Sequence, residues 1–146
     1  MTTHPIAHSR SNVQMVALAF SAVFALVGVL GFIPGVTTDY GDMTFAGHES
    51  GAELLGVFQV SILHNIVHLA FGVVGFAMAR TSAGAWAFLV YGGIIYLALW
   101  IYGMLIDHDS GANFIPFNTA DNWLHLGLGV AMVAVGLVLR ERSSSH

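Results

Sequence analysis

The sequence predicts an all-α, polytopic membrane protein built as a four-helix transmembrane bundle, and three observations carry that prediction. Hydrophobic residues make up 56% of the 146 and charged residues 8%, against about 25% charged in ordinary soluble domains. Four apolar runs, over about 13–33, 54–79, 86–106 and 120–139, are each long enough to cross a ~30 Å hydrocarbon core at ~1.5 Å per residue. The charges segregate between them. Arg10, Arg80, Arg140 and Arg142 precede the first run or follow the second and fourth, and there is no lysine. Asp39, Asp42, Glu49, Glu53, Asp107, Asp109 and Asp121 lie in or beside the other two loops. By the positive-inside rule both termini and the Arg80 loop are expected in the cytoplasm, with two acidic loops outside the cell membrane.

Composition also excludes whole classes of chemistry. Zero cysteines leave no disulfide framework, thiolate metal site or thiol nucleophile. Four basic residues are too few for a nucleic-acid surface. The first run has no small-residue cleavage site before the next polar segment, so it is expected to remain in the mature chain.

Taken in order, residues 1–12 form a polar tail, and span one follows with Ala17, Ser21, Ala25 and Gly28 as a small-residue stripe. Pro34 and Gly35 end it. Part of the long loop over 36–52 is expected to cover the bundle as a cap, with Asp42, His48 and Glu49 as its solvated acidic surface and a cation site at the three as the alternative. Span two places Ser61, His64, His68, Gly72 and Gly75 on one helical face, which must point inward because lipid cannot solvate it. Residues 81–85 make a short link, so spans two and three are antiparallel neighbours. On span three Trp86 marks the inner interface and Trp100 and Tyr102 the outer, while Tyr96 lies deep enough to need a partner within the protein. Asn118 or Thr119 caps span four, with Asp121 in its first turn, and Asp121, His125, Gly129, Met132 and Gly136 share a face. A serine-rich tail ends the chain.

Spans two and four carry one motif. Asn65-x-x-His68-Leu69-x-x-Gly72-Val73 aligns without gaps on Asn122-x-x-His125-Leu126-x-x-Gly129-Val130, with His64 falling on Asp121. The match predicts two helix pairs, one-two and three-four, related as parallel repeats about an axis along the membrane normal. Ionisable residues at such depth face inward, pair or line a cavity. His64 and His68, like Asp121 and His125, are one turn apart, so facing spans would assemble His64, His68, Asp121 and His125 as ligands for a divalent transition metal. A second reading makes His68 and His125 axial ligands of haem b. A third is proton exchange between His and Asp. Asn65, Asn122 and Tyr96 would support any of these sets from behind. A purely structural role, in which the polar groups fix helix register by hydrogen bonds, is the competing class. The His64-Asn65-x-x-His68 string lacks the glutamate base of a zinc protease, and no nucleotide, quinone or acyl-donor motif is present, so the balance is against an enzyme; a small haem or copper oxidoreductase is the enzymatic alternative.

Gly31-Phe32-Ile33-Pro34-Gly35, Gly56-Val57-Phe58-Gln59 leading into the His64–Gly72 segment, and Asn113-Phe114-Ile115-Pro116 leading into Asp121-Asn122-Trp123-Leu124-His125-Leu126 together resemble a four-span bacterial membrane family, domain-of-unknown-function family 4383, common in actinobacteria. The resemblance covers nearly the whole chain and implies the same four-helix membrane architecture. It implies no activity or cofactor. The expected partners are the lipid bilayer and either a larger membrane complex, in which the protein serves as an accessory subunit, or further copies of itself.

Topology is open to direct test. Reporter fusions after Ala83 and after Arg142 are expected to read cytoplasmic, and fusions after Ala46 and after Ser110 external; the reverse pattern would invert the assignment.

Overall fold

The computed structural model describes residues 9–143. The first eight residues of the expected N-terminal tail and residues 144–146 of the C-terminal one lie outside them. Four helices form, α1 (Asn12–Leu30), α2 (Ile62–Met78), α3 (Ser82–Leu105) and α4 (Thr119–Ser143). A small antiparallel sheet of β1 (Thr37–Thr38), β2 (Glu53–Leu54) and β3 (Phe58–Gln59) stands between α1 and α2, with Thr37 opposite Leu54 and Leu54 opposite Phe58. Helices α1, α3 and α4 are long and apolar enough to cross a membrane, and α2, with 17 residues, is apolar but shorter. The protein is an all-α membrane protein.

Local chemistry sets the helix ends. Ser11 and Gln14 form a reciprocal capping box at α1. The Gln14 side chain also donates to the carbonyls of Ala79 and Arg80, both at 3.0 Å, and so ties the start of α1 to the end of α2. The Thr81 hydroxyl accepts the Gly84 N–H at 3.0 Å and starts α3.

Helix α2 begins at Ile62, eight residues later than the apolar run that starts at Leu54. The intervening stretch is rich in β-branched and aromatic residues, and it turns sharply where Leu55 and Gly56 adopt positive φ of 56° and 68°. That turn pairs β2 with β3, and Ser61 then caps α2 by accepting the His64 N–H at 3.1 Å. Hydrophobicity alone does not separate a buried hairpin from a helix.

The helices pack chiefly as two pairs, α1 with α2 and α3 with α4, and the pairs meet mainly through α1 and α3. Glycine lets the backbones approach within each pair. A Cβ at Gly72 would sit 2.7 Å from the Ala25 nitrogen and 2.9 Å from the Ser21 oxygen; one at Gly129 would meet Leu97 Cγ at 2.8 Å and the Gly93 oxygen at 3.0 Å. The correspondence extends to the helices in which the sequence shows no repeat. Gly31 lies against the Asn65 side chain as Gly103 lies against that of Asn122. In the same register Ser21 answers to Gly93, Ala25 to Leu97 and Phe24 to Tyr96, and the rings of Phe24 and Tyr96 stack at 5.1 Å where the two pairs touch. With Phe71 and Phe88 they form the aromatic centre of the core.

Loops close the sheet end. The carbonyls of Thr44 and Phe45 accept the N–H groups of Ile62 and Leu63 at 3.1 and 2.8 Å, so the long loop does lie over α2 as a cap. Gly47 N–H donates to Phe114 O at 2.7 Å and Asn118 Nδ2 to Val57 O at 2.8 Å, joining the two loops.

Because a Cβ at Gly31 or Gly103 would overlap an asparagine amide, Gly31→Ala and Gly103→Ala are each expected to destabilise the protein by about 1–3 kcal/mol. Thermal melts in detergent check this. Gly127→Ala, with nothing within 4 Å, should leave the midpoint unchanged or raise it.

Candidate metal centre

Three imidazoles meet at the sheet end of the helices. His64 is the residue whose N–H the Ser61 cap receives, and His68 follows one turn on, with its ring 4.4 Å from that of His64. His125 comes from the facing face of α4. One ring nitrogen from each residue lies within 4.8 Å of the others. The residues are 5%, 4% and 3% exposed, and the Nδ1 of every one is buried without a hydrogen-bond partner among the described residues. Aromatic rings wall the cluster. Phe24 lies 6.1 Å from His68, Tyr96 is edge-on to His125 at 5.3 Å, and Phe117 meets His125 from the loop side at 5.3 Å. Asn113 holds Phe117 in place, accepting its N–H at 2.8 Å and donating to its carbonyl at 3.2 Å.

The other residues singled out in the sequence are placed differently. The Asp121 carboxylate accepts the Asn118 N–H at 3.1 Å while Asn118 Oδ1 accepts the Asp121 N–H at 2.9 Å, a reciprocal cap on α4; Asp121 is not in the close group of three nitrogens. Asn65 and Asn122, each one residue further round the helix, face their own pair partner. Asn65 lies on Gly31 and donates weakly to Met43 Sδ at 3.8 Å, whereas Asn122 lies on Gly103 and donates to its carbonyl at 3.1 Å. Tyr96 does stand beside the cluster, 6.4 Å from His68 as well as near His125. Asp42, His48 and Glu49 form no ligand group among the described residues. Phe24 and Phe117 complete the wall without a site motif of their own, Asn113 belongs to the Asn113-Phe114-Ile115-Pro116 stretch, and the sequence signal for Phe24 is its register with Tyr96, visible once the helices are superposed.

Residues 14–138 match the model of the family described as domain of unknown function DUF4383. The chain belongs to that family. Its matched region takes in both copies of the asparagine–histidine motif and all three clustered histidines. No curated protein and no solved structure matches the chain.

Chemically, the arrangement offers imidazole nitrogen lone pairs in a buried, aromatic-walled setting. A buried polar atom without a partner costs about 1–3 kcal/mol, so three together form a demand that a single shared cation can meet. A haem between His68 and His125 fits poorly, because the rings of Phe24, Tyr96 and Phe117 occupy the space a macrocycle would need.

The Asn118–Asp121 capping pair closes α4 one turn before His125. Asn118→Ala is expected to lower stability by about 1 kcal/mol, and Asn118→Ser to retain most of it; denaturation midpoints in detergent distinguish the two.

Proposed function

We propose that the protein spans the membrane four times with both termini cytoplasmic and binds one divalent transition-metal ion at His64, His68 and His125, near the outer face, as a non-enzymatic accessory subunit of a larger membrane complex. One observation carries the metal reading: three buried imidazoles on two helices bring ring nitrogens within 4.8 Å of one another, with no hydrogen-bond partner at any Nδ1 among the described residues. Imidazole sets suit zinc, copper, iron or nickel, and thiolate-preferring sites are excluded because the chain has no cysteine. Three protein nitrogens leave a coordination position for water or a donor from a partner. Protons compete for the same lone pairs, so affinity falls on acidification. The arginine distribution supports the orientation.

The asparagines favour a different role. Asn65 and Asn122 sit against glycines of the neighbouring helix, which supports helix pairing as their task.

Elemental analysis of the detergent-purified protein, after expression with trace metals present, tests the metal reading. About one ion per chain is expected in the wild type, with near-complete loss in His68→Ala and in His125→Ala. Metal-free wild type, or a His68→Ala variant that keeps its ion, would refute it.

A further inference from the structure

The end of the helices remote from the histidines carries a second kind of site. Arg10, Arg80 and Arg140 all stand there and are exposed. A cavity of about 590 Å³ is lined by Arg10 and Arg80 together with the hydroxyl residues Ser11, Thr81 and Ser82. Ser82 also lines a second cavity, of about 270 Å³, whose other walls are Val13, Ala83, Trp86, Leu139 and Arg140. The two spaces are therefore neighbours that share Ser82 as a common wall, one cationic and rich in hydroxyls, the other mostly apolar. Among the side chains described, which run from Ser9 to Arg140, no acidic one lines either.

The walls are held in place by contacts already made. Ser11 Oγ and Ser82 Oγ are 2.8 Å apart, joining the starts of α1 and α3. Gln14 fixes the Arg80 backbone through its carbonyl at 3.0 Å. The Arg140 guanidinium lies over the Trp86 ring at 4.5 Å, a cation–π contact that holds a positive charge at the mouth of the apolar cavity.

We propose that these cavities together hold one anionic phospholipid. Its phosphodiester lies between Arg10 and Arg80 and accepts a hydrogen bond from the Thr81 hydroxyl, whose oxygen already accepts the Gly84 N–H; its glycerol and upper acyl chain lie along Val13, Ala83, Trp86 and Leu139. Guanidinium groups match phosphate oxygens in charge and in fork geometry, and basic pockets between membrane helices take lipid headgroups on this account. Neither cavity alone would distinguish a lipid from a free anion. Their adjacency across Ser82 does, because a free phosphate has no use for the apolar half.

Native mass spectrometry of the full-length protein, with thermal melts in mixed micelles, tests this site independently of the histidine cluster. Wild type is expected to retain phosphatidylglycerol about tenfold better than phosphatidylcholine and to melt higher in its presence. Arg10→Gln/Arg80→Gln should lose that preference while keeping its helical circular dichroism; Arg80→Lys, which preserves the charge, should keep most of it. Equal retention of the two lipids by wild type overturns the proposal, and this arm decides the question even if the double variant does not fold. Retention unchanged in a folded double variant overturns it as well. Stabilisation by millimolar inorganic phosphate equal to that by phosphatidylglycerol would identify a free-anion site and overturn the lipid assignment.

Discussion

A polar side chain inside a hydrocarbon layer has no water to turn to, and the interior of this protein is arranged around that constraint. Ser21 meets it within its own helix, its hydroxyl donating to the Ala17 carbonyl at 2.7 Å. Asn122 meets it across the helix pair at Gly103 O, and Asp121 at the α4 cap. The histidines do not, since each keeps a buried Nδ1 without a partner among the described residues. The amide oxygens of Asn65 and Asn122 share that condition, but only the three histidines bring their unpartnered rings together, with one ring nitrogen from each within 4.8 Å of the others.

The two helix pairs give that cluster its symmetry and also break it. Phe24 and Tyr96 stack where the pairs touch, and His68 and His125 occupy equivalent places on either side of them. The next turn differs, because His64 stands where the second pair has Asp121. One copy therefore supplies two imidazoles and the other supplies one, while the Asp121 carboxylate of the second copy serves as a helix cap. The loops diverge in the same way. The first carries a sheet and lays Met43 beside Asn65, and the shorter second loop turns on Asn113 and lays Phe117 against His125.

Opposite ends of the helices thus have opposite chemistry. Imidazole nitrogens gather under the loops at the sheet end, while guanidinium and hydroxyl groups gather at the other. Small residues along the helix faces allow both arrangements, because close backbones bring side chains from different helices within a few ångströms of each other.

Composition, charge placement and the three/four spacing of polar residues were enough to determine an all-α membrane protein, the inward faces of α2 and α4, and the residues worth watching. Those properties are local in the chain, and periodicity reports them directly. Tertiary structure alone decided which of those residues meet. Asn65 neighbours His64 in sequence yet points about a quarter-turn away on the helix, toward Gly31, and Asp121 is drawn into a cap by Asn118. It also decided that Leu54 to Val60 folds as a hairpin, since a positive φ at Leu55 leaves no trace in a hydropathy pattern. Contacts between α2 and α4 depend on how two helix pairs dock through Phe24 and Tyr96, which no single stretch of sequence encodes.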